Sequence, residues 1–253
     1  EPLSTKSTCT CPSESGRVVI RNSGAAASQY LRALAIRLMK TCPSRSKSVS
    51  SRIGAAASSR STRSPASPSA AAAETASLED FHWLMNINFW GVVYGTKAFL
   101  PYLKEAGEGH IINVSSVFGL IGIPTQSAYN AAKFAVRGFT ESLRLELEME
   151  QCGVSATSIH PGGIKTNIAK AARISDDVAA ITGSNPEQSK ADFEKMFRTT
   201  PEEAASTILK GVRQNKRRVL IGSDALAIDT MQRLLPTSYQ RLMVMGQKFM
   251  NKK

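Results

Sequence analysis

Ile111-Ile112-Asn113-Val114-Ser115-Ser116, followed by Ser127-Ala128-Tyr129-Asn130-Ala131-Ala132-Lys133, is the stretch on which the fold turns. A β-branched run closed by two serines reads as a covered strand, since such side chains suit a pleated surface. From Ser127 to about Gln151, Phe134, Phe139, Leu143 and Leu147 fall at helical intervals. A strand feeding a long helix is the unit from which parallel α/β sheets are wound. Further out, Val154–His160 and Arg218–Gly222 read as strands, and Gly16–Ile20 as a first strand before a helical Tyr30–Lys40. Leu78–Lys104 reads as a long helix broken near Pro101. Thr200-Pro201-Glu202-Glu203 carries a helix start, with Thr200 as N-cap and Glu203 closing a capping box, and this helix should run to about Gln214. These elements predict an α/β fold, a doubly wound parallel sheet in a single domain with an irregular N-terminal part.

The same stretch carries chemistry. Positions four apart share a helix face, so the Lys133 ammonium can lie beside the Tyr129 hydroxyl. A neighbouring positive charge favours a phenolate, and the expectation is a Tyr129 pKa drawn below about 10 into general acid–base range. Ser116 ends its strand, and ligands of open α/β sheets bind at the carboxyl ends of strands. Side chains alternate along a strand, so only one of Ser115 and Ser116 should face the site. Pro161-Gly162-Gly163-Ile164-Lys165-Thr166 follows the next strand and reads from its residues alone as a loop.

From Leu78 to about Gly222 the chain resembles the short-chain dehydrogenase/reductase family, classical type. The motifs that carry the resemblance are Asn88-Phe89-Trp90-Gly91, Asn113-Val114-Ser115-Ser116, Tyr129-Asn130-Ala131-Ala132-Lys133 and Pro161 to Thr166, in that order. The resemblance implies a Rossmann-like core and an NAD(P)-dependent oxidoreductase interconverting an alcohol and a ketone or aldehyde. It implies Tyr129 as general acid/base, Lys133 as the group that lowers its pKa and holds the nicotinamide ribose, and Ser116 as the partner of the substrate oxygen. Asn88 resembles the asparagine that fixes a water near the lysine. Gly163, Ile164 and Thr166 would orient the nicotinamide, and the spacing favours Ser116 over Ser115. A homodimer or homotetramer is implied, formed across the helices that begin at Leu78 and Ser127, acting on a small-molecule substrate.

The chain departs from the family in its first third. The glycine-rich turn that cradles a pyrophosphate is reduced to Asn22-Ser23-Gly24-Ala25-Ala26-Ala27-Ser28-Gln29-Tyr30, with one glycine. The alternative is therefore a non-catalytic member that associates but binds no dinucleotide. No Asp or Glu lies between Glu14 and Glu74, so the carboxylate that takes an NAD ribose is missing. With Arg45, Lys47 and Arg52 nearby, the balance tips toward NADP over NAD. Residues 41–73 are mostly Ser, Ala and Arg without period, and the organisation read is 1–77 degenerate start, 78–222 catalytic core and 223–253 C-terminal amphipathic helix, interrupted at Pro236.

With 253 residues, 42% of them hydrophobic, the chain can bury one full core. Its +12 charge divides into 11 Lys/Arg against 3 Asp/Glu over residues 1–77 and 21 against 17 over the rest, that is +8 and +4. A basic first third without interleaved aromatics is a poor nucleic-acid surface, and no nucleic-acid partner is expected. No run is long and apolar enough for a transmembrane segment, no secretory signal is visible, and the four cysteines read as free thiols, so the expected compartment is cytoplasmic. His82, His110 and His160 are scattered and suggest neither a triad nor a metal site.

Overall fold

A computed structural model of the chain describes residues 18–21, 69–166, 173–174, 178 and 197–250, with backbone alone for 18–21, 69–70, 173–174 and 247–250. Four parallel strands, β1 (Val18–Arg21), β3 (Gly109–Val114), β4 (Val154–Pro161) and β6 (Arg218–Ile221), form one sheet in that order. Register is continuous across the middle: Val114 stands opposite Ile159, and Ile159 opposite Val219. A second, two-stranded sheet pairs β2 (Ser69–Ala70) with β5 (Arg173–Ile174). β2 thus departs from the aperiodic reading of 41–73. Tyr30–Lys40, the glycine-poor turn, Cys9, Cys11 and Cys42 lie outside the described residues, and Cys152 is a free thiol.

Alternation in β3 splits the core. Ile111 joins Val154 and Ala156 under Leu103 of α2 (Gly91–Glu105) and Leu143 and Leu147 of α3 (Ser127–Glu150). Its neighbour Ile112 joins Ile159, Val219 and Ile221 on the other face, under Ala204 and Ile208 of α4 (Pro201–Arg213). Helices therefore cover both faces, which is the doubly wound arrangement. The α4 capping box forms as read: Glu203 N–H donates to Thr200 Oγ1 at 3.2 Å, and Thr200 N–H to Glu203 Oε2 at 2.8 Å. Past β6, α5 (Ser223–Leu234) and α6 (Ser238–Met250) flank Pro236, where the interruption was expected.

The helix from Leu78 breaks elsewhere than anticipated. α1 (Leu78–Met85) passes into a π-helical turn, Asn86–Trp90, before α2, while Pro101 sits inside α2. The carbonyl that Pro101 deprives of a partner belongs to Lys97, an exposed residue, a position where solvent is available to a freed carbonyl and a proline inside the helix is tolerated. The π turn instead carries the buried Asn88 at its middle, and π turns gather at functional positions.

Candidate active site

β3 and β4 end side by side, and the site is built on their carboxyl ends. The Ser115 amide still donates to the Ile159 carbonyl at 2.8 Å, so the strand pairing extends one residue past β3. The two serines then part company. Ser115 is buried and its hydroxyl donates to the Lys133 carbonyl at 2.8 Å, tying the strand end to α3. Ser116 faces the other way, caps the 3₁₀ turn Val117–Gly119 by accepting from Phe118 N–H at 3.1 Å, and acts on the Tyr129 phenol, drawing its pKa down. Gly119 makes this close seat possible, because a Cβ there would stand 2.3 Å from Ser115 Oγ and 2.8 Å from the Lys133 carbonyl.

Tyr129 and Lys133 do share a face of α3. The Lys133 ammonium lies 5.5 Å from the Tyr129 ring centroid and donates to the Val114 carbonyl at 3.3 Å. Tyr129 packs against Leu84 and Ala128, with the Phe118 ring edge-on at 6.0 Å. The electrostatics reverse the expectation from spacing. Burial pushes the Tyr129 phenol up to about 12, outweighing the Ser116 hydrogen bond that pulls it down. Burial also pulls Lys133 down to about 8. Removing both groups from water costs each its charged form, and that desolvation exceeds the attraction anticipated between them.

The π turn carrying Asn88 packs on α3. Asn88 is fully buried, and among the described residues neither its Nδ2 nor its Oδ1 has a hydrogen-bond partner. Beyond β4, Gly163 N–H donates to Asp224 at 2.6 Å, Ile164 bridges to Thr199, and Thr166 Oγ1 is buried without a partner among the described residues. The buried Thr166 hydroxyl and the Lys133 ammonium suit the polar edges of a nicotinamide ribose and carboxamide. Residues 22–29 and the charges at 45, 47 and 52 fall outside the described residues.

Two contributors escaped sequence reasoning. Asn130, next to the tyrosine, accepts from Ile123 N–H at 3.1 Å and donates to the carbonyls of Phe118 at 2.7 Å and Ile121 at 2.8 Å. It pins the loop after Ser116 to α3. His160, read as scattered, is fully buried with its Nδ1 2.9 Å from the Ser116 carbonyl and its Nε2 2.9 Å from Ser158 Oγ. Its only sequence signal was its place at the strand end, just before Pro161-Gly162.

Comparison with known proteins gives the same neighbourhood. Residues 64–177 match the family model for short chain dehydrogenases. SadH of Mycobacterium tuberculosis is 47% identical over 170 residues, covering 66% of this chain and 59% of SadH. The chain thus spans about three fifths of that relative's length. A short-chain dehydrogenase from Streptomyces avermitilis superposes with a TM-score of 0.64 at 21% identity, over 90% of this chain and 97% of that one. A Burkholderia phymatum short chain dehydrogenase/reductase, solved in complex with NAD, superposes with a TM-score of 0.56 at 22% identity, over 66% and 62%. Among the described residues no helix is long and apolar enough to cross a membrane, and no group of acidic, His and Cys side chains forms a metal site.

Proposed function

The chain is a member of the short-chain dehydrogenase/reductase family, and from that premise we propose that it is a nicotinamide-dependent oxidoreductase interconverting an alcohol and a ketone or aldehyde. The observation that carries the reading is the burial of Tyr129 with Lys133 on the same face of α3, its ammonium 5.5 Å from the ring, and with Ser116 acting on the phenol, at the carboxyl edge of a parallel sheet.

In the reductive direction Tyr129 is the acid. With its pKa near 12 the phenol is fully protonated at neutral pH and holds a proton for the substrate oxygen. Ser116 donates a hydrogen bond to that oxygen, so negative charge developing there meets two donors. A bound nicotinamide dinucleotide would supply the hydride that reaches the carbonyl carbon. As the proton leaves, the phenolate faces the Lys133 ammonium, so the charge created is compensated within the site. Lys133 and Thr166 would hold the nicotinamide ribose and carboxamide, with Gly163 and Ile164 setting the loop. Lys133 would then return a proton to the Tyr129 phenolate and regain its own from a water held by Asn88. In oxidation the same residues run in reverse.

The helices α2 and α3 support a homodimer or homotetramer, since Tyr94, Tyr102 and Met149 on them are 66%, 59% and 81% exposed. Titration with NADH and NADPH, followed by nicotinamide fluorescence, tests dinucleotide binding. Turnover of a panel of primary and secondary alcohols tests the chemistry. Tyr129→Phe should cost about 10²- to 10⁴-fold in kcat with an unchanged circular dichroism spectrum. Saturable binding with unaltered turnover in that variant would remove Tyr129 from the mechanism.

A further inference from the structure

We propose that His160 is a positioning residue that acts through Ser116, fixing the serine hydroxyl against the Tyr129 phenol, an inference that rests on the reading of Tyr129 and Ser116 above. The argument starts from hydrogen-bond accounting. His160 is the next-to-last residue of β4 and is fully buried, so both ring nitrogens must be satisfied inside the protein. The partners divide the roles without ambiguity. The Ser116 carbonyl only accepts, so Nδ1 carries the proton and donates to it at 2.9 Å. Nε2 is then the acceptor and takes the Ser158 hydroxyl proton at 2.9 Å. One neutral tautomer is selected, and the ring is held from both ends.

The Ser116 carbonyl is where this matters. Ser116 leaves the β3–β4 pairing, and its carbonyl also accepts from Gly119 N–H at 3.0 Å, a bond local to the 3₁₀ turn. The bond from His160 spans 44 residues of sequence and anchors that turn to the neighbouring strand. The Ser116 hydroxyl meets Phe118 N–H within the same turn and the Tyr129 phenol across it. A displacement of the Ser116 backbone therefore moves the hydroxyl relative to the tyrosine, and about 1 Å of misplacement can cost roughly 10²-fold in rate. The same imidazole sits immediately before Pro161, so it also couples the serine turn to the loop that ends at Thr166.

Two substitutions separate the ring's halves. His160→Asn places an amide donor near Nδ1 and keeps the bond to Ser116; His160→Gln reaches toward Ser158 and loses it. Expected is kcat within about threefold of wild type for H160N and a loss of roughly 10- to 100-fold for H160Q, with KM for the dinucleotide unchanged. In the Ser116→Ala background, H160Q should add no further loss, because the two changes act on one unit. A purely structural role predicts instead additive losses and activity that follows thermal stability in both variants. A readout free of turnover accompanies these: the 15N shifts of His160 should report a neutral ring protonated at Nδ1, and the Ser116 carbonyl 13C shift should move in H160Q and stay in H160N. H160Q with wild-type kcat while Y129F is inactive overturns the role of His160 alone. An unmoved Ser116 carbonyl shift in H160Q does the same. Full activity in Y129F overturns the catalytic reading and this inference together.

Discussion

Replacing Lys133 by Met should stabilise the protein while disabling it. Lys133 is 3% exposed, and burial alone lowers its pKa from 10.5 to about 8. Those roughly 2.5 units correspond to about 3 kcal/mol of penalty for keeping the ammonium in the folded state, at about 1.4 kcal/mol per unit. Methionine fills a similar volume without charge, and its substitution forfeits the hydrogen bond to the Val114 carbonyl, worth about 1 kcal/mol. The net gain at pH 7 is then about 2 kcal/mol, or roughly 4–8 °C in Tm for a domain of this size. The pH dependence gives the sharper signature. A base with a depressed folded pKa binds fewer protons folded than unfolded between those two values, so wild-type stability rises from pH 8 to 10.5. K133M carries no such group. Its advantage should therefore shrink across that window by about 3 kcal/mol and invert near pH 10.5, where the neutral amine keeps its hydrogen bond. Urea unfolding of both proteins, without dinucleotide, from pH 7 to 10.5 measures this directly. K133M less stable than wild type at pH 7, or a difference that ignores pH, would refute the claim that desolvation dominates at Lys133.

Three further outcomes follow from the same structure. His110 and His160 are both buried and held down from 6.5 to about 4, so each contributes about 3 kcal/mol above pH 6.5 that is lost as pH falls through 4, and the urea midpoint should drop over that interval. Gly119→Ala forces a methyl to within 2.8 Å of the Lys133 carbonyl, which should cost about 1–3 kcal/mol and lower kcat, whereas Gly138→Ala, with nothing near its added Cβ, should do neither. Thr200→Ala should cost about 1 kcal/mol by removing the capping box of α4, with Thr200→Ser restoring most of it in thermal melts.

Much of the sheet was legible because its signals are local. β-branched runs bounded by turn residues marked β3, β4 and β6, side-chain alternation required that only one of Ser115 and Ser116 face the site, and the family resemblance favoured Ser116. The capping box at Thr200 is a four-residue pattern and was read outright. What stayed hidden depends on surroundings that spacing does not encode. The π turn at Asn86–Trp90 inserts a single residue, too little to disturb a helical period. Whether Pro101 ends a helix depends on whether Lys97 faces water. The directions of the Tyr129 and Lys133 shifts depend on how completely α3 is covered, and the i,i+4 rule addresses proximity alone. His160 and Asn130 act through backbone carbonyls, which carry no residue type for a sequence to display.

In the proposed mechanism the opposed shifts of Tyr129 and Lys133 are what would make the pair useful. A phenol near 12 and an ammonium near 8 leave the resting site at neutral pH with its acid loaded and one positive charge waiting. A site that drew the tyrosine down to neutrality would rest as an ion pair, with part of its favourable electrostatics already consumed before substrate arrives. On that mechanism the phenolate forms only as its proton passes to a substrate oxygen, and at that moment the Lys133 ammonium first gains a full anion to stabilise. Their interaction is stronger in the transition state than in the ground state, the condition for accelerating a step.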